Sequence, residues 1–362
     1  MSQPCCNAPS LEFKPDFAEA RRRWEAYWAG EIIDRPCIAI TCAKEGRQAP
    51  PGPPYMAGAE GNFGPVVDQA VACAEAIFWG GEAIPNYVPS FGPDQFGAFL
   101  GGDLKWSDTD HSTNWVVPFV ESWEDALPLQ IKPDDPWWVR LQAFMRALGE
   151  AAAGKMVISH IDLHSNMDAL SAIRLPARLC VDFYDCPELI DRAMQQVRAL
   201  YAYVYDTLWE AAGMNRSGTV GWVPAYHWHK TNTIQCDFAA LCGPEHFRRW
   251  VLPALEEEAA FLDACMYHFD GPECLVHLDD ICAIPKLGAI QWTPGARNKA
   301  MMDWLDLLKE IQSKGQGLYI GCSVEELRIY HRELRPEKVF YQCGVGSEQQ
   351  VEETLKWLVD NT

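Results

Sequence analysis

From about residue 155 onward, short β-branched or aromatic runs alternate with longer segments whose apolar residues recur every three or four positions. The runs predict strands over 156–161, 233–238, 265–269, 289–292, 317–320 and 339–342, with a further one near 219–223. Between them the helical period predicts helices over 188–212, 244–264, 297–314 and 347–360. The first of these carries Leu189, Ala193, Val197, Leu200, Val204 and Leu208 on one face, and the last opens on a Ser347/Gln350 capping pattern. Strands separated by helices are the mark of a parallel sheet made of βαβ units. With an additional strand over 36–42 there are about eight, which in 362 residues predicts an α/β fold, a single (β/α)8 TIM barrel spanning 1–362. A doubly wound sheet competes, but neither a Gly-x-Gly-x-x-Gly turn nor a Gly-x4-Gly-Lys-Ser/Thr loop is present to serve a nucleotide at its switch point.

The first third is less regular. Phe17, Trp24, Tyr27 and Trp28 stand at helical spacing and stop at Gly30, so a helix is expected over 14–29 with a glycine cap. Residues 49–65 hold Pro50, Pro51, Pro53 and Pro54 among glycines and predict a long loop. Val67, Val71, Ala74 and Phe78 predict a helix ended by Gly80-Gly81, and a further helix is expected over 137–152. The intervening Pro, Gly and Trp read as elaborated loops on the barrel rather than a second domain.

Composition narrows the function. Fifty acidic against thirty basic residues give a net charge of −20, which repels nucleic acid and anionic membrane surfaces. No apolar stretch approaches the roughly 20 residues of a membrane span, and the N-terminal residues lack a signal-peptide pattern, so a cytoplasmic location is expected. Most of the fourteen cysteines are scattered singly through apolar segments, as reduced core thiols are. Fifteen tryptophans suit a thick core and an aromatic-lined pocket.

A barrel carries its chemistry on the loops that follow its strands. Those positions are polar here: Asp162, His164 and Asp168 after the 156 strand, Gln235 and Asp237 after the next, then His268 with Asp270, Gln291 with Trp292, Gly321-Cys322, and Cys343. Zinc needs three or four N, S or O donors around one point, and neighbouring strand ends supply them without a CxxC pair. His268 with Cys343, completed by Cys322, Asp270 or Asp237, is the expected metal set. The same residues also suit metal-free acid–base work. His227 and His229, one residue apart, fit either a metal or a substrate-stacking loop around Trp228.

Tyr267-His-Phe-Asp-Gly-Pro272, His277-Leu-Asp279 and Gly288-Ala-Ile-Gln-Trp-x-Pro-Gly295 resemble the uroporphyrinogen decarboxylase superfamily, more closely its uncharacterised and methyltransferase-like branches. Trp79-Gly-Gly-Glu82 before Pro89-Ser-Phe-Gly-Pro93, and Gln235-Cys-Asp-Phe238 before Gly243-Pro-Glu-His-Phe247, extend the resemblance over roughly residues 15 to 360. It implies a single barrel with a deep strand-end pocket. The decarboxylase's arginine-rich N-terminal segment has no counterpart; Arg21-Arg-Arg23 lies on the amphipathic first helix. The corrinoid:thiol methyltransferase branch implies zinc on His-x-Cys plus a later cysteine. In this chain Asp270 replaces the first cysteine and Cys343 stands where the later one would.

The expected activity is therefore methyl transfer between a small-molecule donor or acceptor and a corrinoid carried on a partner protein, assisted by zinc on His268, Asp270, Cys322 and Cys343. Asp162, His164, Asp237 and His268 are the expected catalytic groups, and His229, Gln291 and Trp292 the expected cofactor-binding ones. The alternative is a metal-free decarboxylase or lyase acting on a small acid or a tetrapyrrole-like substrate.

Overall fold

The computed structural model describes residues 10–107, 113–295 and 300–362. Thirteen strands are present among them: β1 (Cys37–Ala43), β2 (Ile77–Gly81), β3 (Asn86–Tyr87), β4 (Leu104–Trp106), β5 (Asn114–Val116), β6 (Val157–Ile158), β7 (Thr219–Val220), β8 (Tyr226–His227), β9 (Thr231–Gln235), β10 (Ala264–Asp270), β11 (Leu287–Thr293), β12 (Gly317–Gly321) and β13 (Val339–Gly344). Seven of them form one sheet in the order β2-β1-β13-β12-β11-β10-β9, parallel throughout except for β2. The short strands continue beside it: β3 pairs with β6 in parallel, and His160 N–H donates to Val220 O at 2.9 Å, tying β6 to β7. Gly221 then lies so close to β9 that a Cβ on it would sit 3.0 Å from Thr233 N. Among the described residues no ladder joins this short series to the seven-stranded sheet, so the architecture is an α/β fold with a mainly parallel central sheet.

Strand faces alternate, and this separates two cores. Ile38, Ile40, Tyr267, Phe269, Ile290, Trp292, Leu318, Ile320, Tyr341 and Cys343 point to the helices and join the larger core. Ala39, Met266, Ala289 and Phe340 point the other way, onto Phe17, Trp24 and Tyr27 of the helix Phe17–Ala29. That helix plugs the inner face: Trp24 is 1% exposed, its indole donates to Glu82 O at 2.9 Å, and its ring lies 4.6 Å from that of Phe340. Beneath it Arg35 grips Glu82 at 2.6 and 2.8 Å, and Glu82 also accepts from Ile38 N at 2.9 Å. Both members of this pair are buried, so each satisfies the charge of the other where water cannot.

The helices predicted over 137–152, 188–212 and 347–360 form as Pro136–Ala152, Pro187–Ala211 and Glu348–Asn361. The Ser347 hydroxyl accepts from Gln350 N at 3.3 Å, while the Gln350 side chain returns to Gly346 N rather than to the cap residue. Of the helix predicted over 297–314, residues 297–299 lie outside the described residues and the α-helix runs Leu305–Ser313. The helix predicted to end at Gly80-Gly81 ends at Ala76 instead, and Ile77–Gly81 becomes β2. The glycines are needed by the strand, because a Cβ on Gly80 would meet Val351 Cγ1 at 2.3 Å and one on Gly81 would meet Ile38 O at 2.4 Å.

Candidate functional site

The C-terminal ends of β9 and β10 bring three donors together: one ligand atom each from Asp237, His268 and Asp270 lie within 4.8 Å of one another. Cα register explains the meeting. His268 pairs with Gln235 on one side and Gln291 on the other, so these three share a face. Asp270 is two residues further along β10 on that face, and Asp237 is two beyond Gln235. His268 Nδ1 lies 2.8 Å from the Gln291 amide oxygen. That oxygen only accepts, so the contact is made by the tautomer with its proton on Nδ1, in which Nε2 is the ligand atom. The indole of Trp222 stands edge-on to the imidazole with ring centroids 5.0 Å apart. Burial raises the Asp270 carboxyl pKa, with His268 opposing.

Three acids and a second imidazole adjoin this set. His164 Nε2 is 2.9 Å from Asp162 Oδ2 and 2.7 Å from the Gln235 amide nitrogen, and its Nδ1 is 3.9 Å from Asp168 Oδ2. Burial works against an imidazolium there, but Asp162, Asp168 and Asp237 outweigh it and hold its pKa up at about 10. A cation at 164 is best served by the Gln235 amide oxygen, which is buried and otherwise unbonded and which a half-turn of the amide brings to the imidazole. Asp168 accepts from the backbone N–H groups of Asp237 and Phe238 at 3.0 and 2.8 Å, yet burial, with the Asp237 charge, pushes its carboxyl up to about 6. Asp94 is likewise raised, first by burial, and accepts from Val116 N at 3.0 Å.

The loop that carries these groups is anchored from behind. Asn166 sits in the left-handed region at φ 58° and donates to Gln235 O at 3.0 Å and to Glu258 at 3.2 Å. Ser165 donates to the same Glu258 oxygen at 2.7 Å. Glu258, on the helix Leu252–Phe261, is 4% exposed and has no ion-pair partner among the described residues, and burial pushes its pKa up to about 8.

Several residues expected at the site lie elsewhere. Cys343 pairs with Ile40 in register and faces the helices, so it cannot meet His268 across the sheet. Cys322 follows β12 and packs against it, Sγ to Sγ 3.9 Å, and this contact, with burial, raises the Cys322 thiol pKa. The cysteines are therefore absent from the donor cluster, whose third member is Asp237. Trp292, paired with Phe269, is also on the helix side, against Trp304. His229 is exposed and precedes β9, at the opposite end of that strand from Gln235; the β7–β8 hairpin places it there. Its backbone N–H donates to His227 Nδ1 at 3.1 Å, and Arg21 covers the intervening Trp228 at 4.0 Å. His160 and His277 are buried, stacked on Tyr205 and Phe247 and bonded to backbone carbonyls. Trp222 is the residue that strand-end reasoning passed over: it falls inside the strand read near 219–223, whereas β7 ends at Val220 and leaves Trp222 just past the strand end.

The architecture has a solved counterpart. A methyltransferase from Methanosarcina mazei superposes with a TM-score of 0.59 at 13% identity, over 94% of this chain and 98% of its own. At that identity the likeness describes the fold. No protein-family model and no curated protein matches the chain.

Two cavities open near the site. One of about 380 Å³ lies between Trp79, Asn86, Trp222 and Gln342, over Ala39 and Thr41 of β1. The other, about 870 Å³, lies among the N-terminal loops and includes Tyr55, Trp106, Trp137 and Arg140. Burial raises the Tyr55 phenol pKa, with Ser90 opposing and the Asp162 charge adding a smaller push.

Proposed function

We propose that this protein is a methyltransferase whose reactive centre is the Asp237–His268–Asp270 cluster, moving a methyl group to or from a corrinoid on a partner protein with zinc at the cluster. The observation that carries the metal is the convergence of one imidazole and two carboxylates from adjacent strand ends, with the imidazole's tautomer fixed by Gln291. Two oxygens and one nitrogen are donors zinc accepts, and three protein ligands leave a position for a reactant. The methyltransferase fold neighbour supports the reaction class. Zinc held there would supply the Lewis acidity that lowers the pKa of an incoming thiol or alcohol.

The chain's own groups then have distinct tasks. Gln291 holds the His268 ring in place, and Trp222 excludes water from one side of it. His164, kept cationic by its three carboxylates, stabilises negative charge that develops beside Asp237. Asp168, titrating near 6, takes or returns a proton close to neutral pH. Metal analysis after equilibration with zinc tests the reading: about one zinc per chain is expected, falling several-fold in His268→Ala and Asp270→Ala, with methyl transfer from methylcobalamin to a thiol falling in step. A protein that binds no zinc and transfers no methyl group refutes it.

A second reading, a metal-free carboxy-lyase, draws on the same imidazolium, which suits a carbanion formed from a small acid. Turnover that survives exhaustive chelation but is lost in His164→Gln would favour it.

A further inference from the structure

The 870 Å³ cavity among the N-terminal loops is not used by the donor cluster, and its walls have a definite chemistry. Trp106 and Trp137 stand with ring centroids 5.7 Å apart, and Tyr55 adds a third ring. Trp137 and Arg140 are one turn apart on the helix Pro136–Ala152, and the guanidinium carbon lies 4.9 Å from the Trp137 ring. Arg140 Nη1 donates to Ala59 O at 2.7 Å; no carboxylate among the described residues pairs with the guanidinium, leaving its remaining N–H groups for a ligand. Among the described residues it is the one basic side chain on the wall, and the acid there, Glu60, is exposed. In a chain of net charge −20, an arginine stacked on an indole and unpaired with any carboxylate of the described residues is unusual.

We propose that this cavity binds a flat aromatic carboxylate of two or more fused rings. Its faces would lie against Trp106, Trp137 and Tyr55, and its anionic group would pair with Arg140. The volume lies toward the upper part of the roughly 300–1,000 Å³ range of small-molecule sites, beyond what a single ring fills. Indole and guanidinium planes recognise flat π-systems, and a guanidinium fork matches a carboxylate. The binding does not depend on the donor cluster being the reactive centre proposed above.

Isothermal titration with 2-naphthoate tests the binding directly. Saturable one-to-one binding is expected, with 2-naphthylmethanol (no charge) and decahydronaphthalene-2-carboxylate (no flat face) each roughly tenfold weaker or worse. Arg140→Gln should weaken naphthoate about tenfold while leaving naphthylmethanol unchanged, and Trp137→Leu should weaken both aromatic probes. Chelator-treated protein should give the same naphthoate isotherm as untreated protein. A missing zinc therefore defeats the metal reading without touching this one. No naphthoate binding, equal binding of the alcohol, or unchanged binding in both variants overturns the proposal; the wild-type comparison of probes decides it even if a variant fails to fold.

Discussion

Replacing Glu258 by glutamine removes a titration from the interior while keeping the acceptor that Ser165 and Asn166 use. In the folded chain the carboxyl pKa is raised from 4.5 to about 8, burial being the first cause and the Asp168 charge a lesser one. An acid raised in the folded state binds its proton more tightly there than in the unfolded chain. Stability is therefore greatest below about pH 4.5 for this group and falls as pH rises toward 8. At about 1.4 kcal/mol per pKa unit, the whole shift makes a ceiling of about 5 kcal/mol. Glu258→Gln has no such dependence. Urea unfolding at intervals from pH 5 to 8 should show the variant gaining on the wild type by up to about 1.4 kcal/mol per pH unit. Asp168 and His164 titrate in both proteins and largely cancel in the difference. Parallel stability curves would show Glu258 ionised in the fold, and would falsify the account of how the 162–168 loop is anchored.

Four further outcomes follow from the geometry. Arg35→Met removes two of the hydrogen bonds to the buried Glu82 carboxylate and leaves it with Ile38 N–H and with Arg23 at 3.5 Å; it should cost about 1–3 kcal/mol in urea unfolding, whereas an unchanged stability would contradict the burial of the pair. Trp24→Ala empties the plug against Phe340 and Glu82 and should cost about 3–5 kcal/mol by the same measurement. Cys343→Ser should leave zinc content as in the wild type, because the sulfur faces the helices; loss of zinc in that variant would contradict the register. His164 has its folded pKa raised to about 10, so its stabilisation is complete below 6.5 and fades as pH climbs through 10. His164→Gln should flatten the decline in melting temperature between pH 7 and 10.

Sequence periodicity carried the C-terminal half well, because long helices bury one stripe and the parallel strands are nearly continuous apolar runs. All six apolar positions that predicted the helix over 188–212 are buried or pack on the core in the observed Pro187–Ala211 helix. The strand predicted over 156–161 shrinks to Val157–Ile158 because its neighbours β3 and β7 are themselves two residues long and offer little to pair with. The N-terminal third was harder to read. Ile77-Phe78-Trp79 continues the preceding helical period, and only the close approach of β1 and the last helix to Gly80 and Gly81 reveals a strand. Asp162, His164, Asp237, His268, Asp270 and Gln291 were legible as polar residues at strand ends, and the structure gathers them. Cys343 and Trp292 were misplaced for a specific reason. In a parallel sheet both faces of a strand are largely apolar, so in Val339-Phe-Tyr-Gln-Cys343 the single polar Gln342 is the one hint of which parity faces inward. Cross-strand register decides it, and the irregularity between Cys265 and Met266 shifts that register by a step no sequence period records.

Along β10 the residues of the donor-cluster face and those that hold the helices are interleaved one by one, from Met266 to Asp270. Tolerance to substitution should rise and fall with a beat of two along this segment. New chemistry can be written at 268 and 270 while 267 and 269 keep the scaffold intact. Deleting a single residue at the start of β10 would exchange the two roles wholesale, turning imidazole and carboxylate toward the oily layer and a tyrosine and a phenylalanine toward the inner face.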